Sequence, residues 1–111
     1  MSMEITFKRG KQSKDFLNNY WLQLWLRRNT SVQDLNEDDG RIPVELLGKL
    51  LEDIRSVLAD HSLGRSVLPN PGKTELDYGD RYFKQLSEAE RKIQEILSAN
   101  TDEPILVWGS Y

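Results

Sequence analysis

Only one histidine, His61, is available for acid–base chemistry, and the chain has no cysteine. A serine hydrolase needs its serine on a sharp turn, and no serine here lies in a Gly-x-Ser-x-Gly sequence. A single histidine without cysteine excludes multi-histidine and cysteine-based zinc sites within one chain. By helical phase, His61 closes an apolar helix face, where the helix dipole favours positive charge. We therefore predict a structural role for His61 and no catalytic residue.

Gly72-Lys73-Thr74 has the sequence that ends a phosphate-binding P-loop. That motif needs a glycine five positions before Gly72, because its backbone amides must wrap the phosphates, but Val67 occupies this position. Pro69 and Pro71 also remove two amide donors. The segment is therefore predicted to be a proline–glycine turn that binds no cofactor.

The acidic segment 34–45 comes closer to a metal site. Its oxygen-bearing side chains match positions 1, 3, 5 and 12 of an EF-hand loop: Asp34, Asn36, Asp38 and Glu45. Position 6 of that loop must be glycine for a sharp turn, but Asp39 occupies it. We predict an acidic, solvated loop and no metal site, and calcium binding by residues 34–45 is left as an alternative.

The first 28 residues are predicted to form a strand and a helix. Residues 3–9 alternate between apolar and polar, which is typical of a half-buried strand, and Gly10 ends it. Ser13 is suited to cap a helix from Lys14 to about Arg28. Its apolar residues follow helical spacing on one face: Phe16, Leu17, Tyr20, Trp21, Leu24 and Trp25. Leu22 and Leu26 fall on the other side, so the apolar coverage is wider than a surface helix needs. Homodimerisation through this helix would bury the surplus side.

A second helix is predicted after a polar loop over residues 29–41. Pro43 suits its first turn, and a continuous apolar stripe runs from Leu46 to Leu58 before the helix ends near His61. Residues 62–76, rich in proline and glycine, are predicted to be a second long loop.

A third helix should begin near Asp77–Asp80 and end near Ala99. Ser87 and Glu90 have capping-box spacing, which would allow a break, but the apolar stripe keeps its phase across Ser87 and favours one helix. Residues 104–108 are short, apolar and rich in β-branched side chains, which indicates a strand.

These elements predict an α+β fold that is mainly α. A lone strand is not stable, so the N- and C-terminal strands are expected to pair. Three helices would pack around the small sheet that these strands form. The 111 residues fit a single domain, 1–111, with one core.

Three features of the sequence bear on where the protein is located in the cell. Without cysteine, the chain is indifferent to the redox compartment. Its first ten residues lack the apolar core of a signal peptide. No apolar stretch approaches the roughly 18 residues of a membrane span. A cytoplasmic location with no membrane partner is expected.

Charge is distributed unevenly along the chain, although the net charge is only −3. Residues 1–28 carry +4, and residues 29–111 carry −7. A basic end of this kind can bind nucleic acid if one surface gathers its charges, with nearby aromatic residues stacking on bases. The alternative is that the two halves neutralise each other in the fold. Nucleic-acid binding through the basic N-terminal region is therefore our second hypothesis.

The first hypothesis is a non-enzymatic protein that binds or modulates another protein. Its contact surface is expected on the outer side of the first helix and around the loop 67–78, at Leu22, Leu26, Pro69, Tyr78 and Tyr82. An aromatic and aliphatic patch within a polar rim would supply the binding energy. An enzyme whose site the fold assembles from scattered carboxylates is a third alternative, which no motif supports.

One stretch carries a likeness to known proteins. Leu68-Pro69, Asp77-Tyr78, Tyr82-Phe83 and Leu86 resemble a pattern in small bacteriophage and prophage proteins, in which a Leu-Pro turn leads to a helix that starts with acidic residues and tyrosines. The glycine–aromatic segment of those proteins is replaced here by residues 72–76. The resemblance implies a phage-linked origin and a host protein as the partner, and it implies no particular activity.

Overall fold

A computed structural model of the protein describes residues 3–30, 40–70 and 78–110. Within these ranges the fold is α+β, as predicted, with four helices packed against a four-stranded antiparallel sheet. The strands are β1 (Glu4–Arg9), β2 (Gln12–Leu17), β3 (Gly40–Ile42) and β4 (Ile105–Ser110). The helices are α1 (Tyr20–Asn29), α2 (Val44–Ala59), the short α3 (Gly64–Val67) and α4 (Asp80–Leu97).

The two terminal strands lie at the centre of the sheet, whose order is β2-β1-β4-β3. β1 pairs with β4 so that Phe7 lies opposite Val107 and Thr6 opposite Trp108. The predicted pairing of the N- and C-terminal strands is therefore confirmed. Two strands that the sequence did not indicate, β2 and β3, extend the sheet on either side.

A β-hairpin replaces the first turn of the predicted helix 14–28. Gly10 has a φ of +58°, and it forms with Lys11 a two-residue turn that brings Arg9 opposite Gln12. Glycine at the first central position is typical of hairpin turns whose twist matches that of the strands. Phe16 is buried and Leu17 is 59% exposed, as expected for neighbours in a strand. The prediction of a helix over residues 14–19 was therefore wrong, and α1 begins at Tyr20.

Asn18 ends β2 and turns the chain into α1. Its φ of +57° lies in the left-handed region, which asparagine tolerates better than most residues. Its side-chain Oδ1 accepts a hydrogen bond from the Met3 amide at 2.9 Å, and its own amide donates to the Met3 carbonyl at 2.7 Å. These two bonds fix the entry to α1 against the start of the chain that the structure describes.

Both sides of α1 are covered by the chain itself. Leu22 and Leu26 are completely buried, together with Trp21 and, to 96%, Trp25. The indole nitrogen of Trp21 donates to Gln85 of α4 at 3.1 Å, and that of Trp25 donates to Asp53 of α2 at 3.0 Å. The prediction that Leu22 and Leu26 form an exposed contact surface was therefore wrong, because α1 is enclosed within the helical layer. The surplus apolar side on which homodimerisation was based is absent.

The two long helices match their predictions. α2 begins directly after Pro43, and α4 continues without a break through Ser87. Their apolar stripes pack together with α1 and the inner face of the sheet in one core. No helix in the described ranges has both the length and the apolar composition needed to cross a bilayer.

Arg9 connects the hairpin to the C-terminal end of α4. Its guanidinium donates to the carbonyls of Ile96 and Leu97 at 3.2 and 3.3 Å. It also donates to the carbonyls of Thr101 at 3.1 Å and Glu103 at 3.2 Å. The last carbonyls of a helix lack intrahelical donors and carry partial negative charge, so a guanidinium supplies them with both hydrogen-bond donors and positive charge. Arg9 therefore ties β1 to α4 and to the segment that leads into β4.

Candidate interaction surface

Two of the predicted contact residues, Tyr78 and Tyr82, bind the backbone of the Leu-Pro turn. The hydroxyl of Tyr82 donates to the Leu68 carbonyl at 2.7 Å. The hydroxyl of Tyr78 accepts from the Asn70 amide at 2.9 Å and donates to the Asn70 carbonyl at 3.2 Å. The structure thus brings together the Leu-Pro turn and the two tyrosines that carry the sequence resemblance, and it shows them joining α3 to the start of α4.

The environment of Tyr82 makes it part of the core. Only 2% of its surface is exposed, so its place in the predicted contact set is corrected. Gly64 lies so close that an added Cβ would be 3.2 Å from the Tyr82 hydroxyl. Burial raises the pKa of Tyr82 well above its ordinary value, because an ionised phenolate would lose its hydration there. Pro69 and Tyr78 are half-buried, and their contact with a partner stays a prediction.

His61 lies beside Asp60 and Ser62 at the end of α2 without forming a proton relay. The Ser62 hydroxyl and amide both donate to the Asp60 carboxylate, at 2.6 and 3.1 Å, and these bonds lower the pKa of Asp60. The imidazole stacks on Phe83 with 3.8 Å between ring centroids. Because the serine donates directly to the carboxylate, this arrangement ends a helix and activates no nucleophile.

The predicted metal and phosphate segments fall mainly outside the described residues. Residues 34–39 of the acidic segment and Gly72-Lys73-Thr74 lie there. Of the remainder, Gly40–Ile42 forms β3 and Glu45 is exposed in the first turn of α2. Among residues 3–30, 40–70 and 78–110, no three acidic or histidine side chains group closely enough to hold a metal ion.

Two basic residues of the N-terminal region, Arg9 and Lys14, are engaged within the chain. Arg9 is bonded to backbone carbonyls, and Lys14 forms an ion pair with Glu95, whose pKa it lowers. Lys8 lies on the opposite face of the sheet from the helices, because its neighbour Phe7 points into the core. Of the aromatic residues considered for base stacking, Phe16, Trp21 and Trp25 are buried as core residues, whereas Tyr20 is 39% exposed.

A groove that the sequence did not indicate runs between β2 and α4. Its volume is about 300 Å³, and α4 lines it with residues that recur on one helix face: Arg81, Lys84, Gln85, Glu88 and Lys92. β2 and the start of α1 line the other side with Asp15, Phe16, Leu17 and Asn19. The groove was missed because residues 14–17 were assigned to a helix, which hid the strand that forms its wall. The Gly10-Lys11 pair between two alternating runs is the signal that could have revealed it.

Two exposed apolar side chains belong to the segment that lines this groove, Leu17 in the lining itself and Tyr20 next to the lining residue Asn19 in the chain. Leu17 has 59% of its surface exposed, and Tyr20 has 39%. Lys92 lies across the groove wall, where its ammonium donates to the Asp15 carbonyl at 2.6 Å and lies 5.0 Å from the centre of the Phe16 ring. The surface therefore combines exposed apolar side chains with the cations of α4.

Comparison of the chain with protein-family models, with curated proteins and with solved structures finds no match.

Proposed function

We propose that this protein is a non-enzymatic binding protein that recognises another protein through the groove between β2 and α4 and the adjoining side chains Leu17 and Tyr20. The observation that carries the proposal is the 59% exposure of Leu17 beside the groove. Other large apolar side chains are mostly buried in the core, so an exposed leucine and tyrosine next to a groove form the patch best suited to a hydrophobic contact.

The proposal also includes the partner and the location. The resemblance to prophage proteins supports a host protein as the partner, and the cysteine-free composition supports a cytoplasmic location. The groove replaces the surface at Leu22 and Leu26, because both of those leucines are buried.

Site-specific photocrosslinking in bacterial cells tests the proposal. A benzophenone amino acid at position 17 should give discrete adducts with another protein, because Leu17 lies at the contact. The matched control carries the same amino acid in place of Val44, which is also an exposed apolar residue, at 43%. Absence of adducts at position 17, or the same adducts at both positions, would contradict the proposal.

Nucleic-acid binding is the second candidate, and the placement of the basic residues gives it less support. Arg9 and Lys14 already have partners within the chain, so two of the six basic residues in positions 1–28 are less available to phosphates. We expect no retardation of single- or double-stranded DNA and RNA probes in a gel-shift assay at low salt. Retardation that falls steeply with added salt would favour this candidate over the first.

A further inference from the structure

We infer that the groove between β2 and α4 binds an extended, acidic segment of the partner protein, which adds to β2 as a fifth strand. This inference rests on the proposed function, because it specifies how the partner is recognised at the same surface. Addition of a strand to an exposed sheet edge is a recurrent mode of peptide recognition, in which main-chain hydrogen bonds supply affinity and side-chain contacts supply specificity.

β2 is an edge strand of the sheet. Within the described ranges it pairs only with β1. Arg9 and Gln12 flank a two-residue turn, so they form a hydrogen-bonded pair, and such pairs alternate along an antiparallel ladder. The amides and carbonyls of Ser13, Asp15 and Leu17 therefore point away from β1. The bond from Lys92 to the Asp15 carbonyl lies on this outer side, in agreement with the register.

The helix that lies beside this edge presents mainly positive charge to the groove. α4 contributes three cations and one carboxylate to the groove: Arg81, Lys84, Lys92 and Glu88. The Asp15 carboxylate accepts the Thr6 hydroxyl at 2.9 Å on the sheet face and keeps its negative charge. The groove lining therefore carries three cations against two carboxylates in a chain whose net charge is −3, and a segment with carboxylates complements the cations of α4.

Lys92 covers part of the outer edge of β2, because its ammonium donates to the Asp15 carbonyl. A lysine that caps an edge carbonyl discourages unwanted pairing. A carboxylate is a stronger partner for an ammonium than a neutral carbonyl is. An incoming acidic side chain therefore draws Lys92 away from Asp15 and frees its carbonyl for a strand. This exchange makes strand addition selective for acidic segments.

The experiment uses the full chain and a labelled peptide of eight alternating valine and glutamate residues. We expect this probe to bind, and in ¹⁵N-labelled protein the amides of Ser13, Asp15 and Leu17 should shift most. A peptide with lysine in place of glutamate should bind at least about tenfold more weakly, because the α4 cations repel it. Two further peptides are N-methylated, one at the valine amides and the other at the glutamate amides. At least one of them should lose binding, because methylation removes the amide donors that would pair with β2.

Charge reversal provides the matched comparison. The double variant Arg81→Glu and Lys84→Glu should weaken binding of the acidic probe at least about tenfold. Arg41→Glu makes the same kind of change on the exposed face of β3, at the other edge of the sheet, and should leave binding unchanged.

Three outcomes with the peptide probes would overturn the inference. They are no binding at about 1 mM peptide, equal binding of the acidic and basic probes, and binding that neither methylation pattern affects. Shifts of the β2 amides that depend on protein concentration without peptide would also overturn it, because they identify a second copy as the occupant. If adducts still form at position 17, the proposed function stands and only strand addition falls. If neither experiment succeeds, both proposals fall.

Discussion

The two ends of α4 and its groove face use polar side chains in different ways. At the N-terminal end, Tyr82 is buried and bonded to the Leu68 carbonyl, and at the C-terminal end the carbonyls of Ile96 and Leu97 accept from Arg9. On the groove face, Arg81 and Lys84 are exposed. Side chains at the two ends of α4 are therefore bonded to the backbone and help to hold the fold, whereas the exposed cations on the groove face are available to a partner. Substitutions at the ends should change stability, and substitutions in the groove should change binding.

The largest effect is expected from Arg9→Met, which removes every hydrogen bond from Arg9 to four backbone carbonyls. The free energy of unfolding should fall by about 2–3 kcal/mol, because charged hydrogen bonds at a helix C-terminus are lost together. Urea unfolding followed by circular dichroism measures this change. The neighbouring exposed residue provides the control, since Lys8→Met should stay within about 0.5 kcal/mol of the unmodified protein. Equal losses of stability in the two variants would show that the bonds from Arg9 to the backbone carbonyls do not stabilise the fold.

The next effect is expected from Tyr82→Phe, which keeps the buried ring and removes its bond to the Leu68 carbonyl. The free energy of unfolding should fall by about 1–2 kcal/mol at neutral pH, because the carbonyl loses its donor. Tyr20→Phe, at a residue that is 39% exposed, is the matched control and should change stability little.

Alkaline unfolding tests the same tyrosine. The folded-state pKa of Tyr82 is raised above the ordinary value of 10.0, so the unfolded chain releases this proton first. Stability is then fully present below about pH 10 and declines as the pH rises above it, by at most about 1.4 kcal/mol per pH unit. Tyr82→Phe should make this loss of stability at alkaline pH smaller. Tyr20→Phe should leave the part of the loss that comes from Tyr82 unchanged. An unchanged alkaline slope in Tyr82→Phe would show that burial of this hydroxyl does not control the titration.

The smallest stability effect is expected in the groove. The variant that combines Arg81→Glu with Lys84→Glu should change the free energy of unfolding by no more than about 0.5 kcal/mol, because both side chains are exposed. The same urea titration measures it. A loss as large as that expected for Arg9→Met would mean that these cations hold the fold, and it would remove the distinction between the ends of α4 and its groove.

The sequence predicted those elements whose apolar period is unambiguous. The stripes of α2 and α4 are long, and the alternation in β1 is regular, so each indicated the structure that forms. β2 was not predicted because Phe16 and Leu17 also fit the helical spacing that continues into Trp21. The strand follows from the Gly10 turn, which lets residues 12–17 pair with β1. The apolar spacing within one segment does not show whether that segment pairs with another strand.

The candidate site was predictable only in part. The sequence singled out the Leu-Pro turn and Tyr78 as a pattern, but it did not predict the bonds between the Tyr78 hydroxyl and the Asn70 backbone, which depend on how the chain folds back. The burial of Leu22 and Leu26 depends on neighbours that are distant in sequence. The groove joins residues 15–19 to residues 81–92, and no sequence spacing records that proximity.

The central position of the terminal strands has a consequence for synthesis on the ribosome. β1 and β2 are adjacent in the chain and can pair as soon as they emerge, but β4 is translated nearly 90 residues later. At about 5–20 residues per second, roughly 4–18 s separate the two events. During this interval the edge of β1 that later pairs with β4, with the backbone groups of Glu4, Thr6 and Lys8, lacks β4 as a partner. The nascent chain therefore presents a strand edge that can pair wrongly, and chaperone capture should occur in this window.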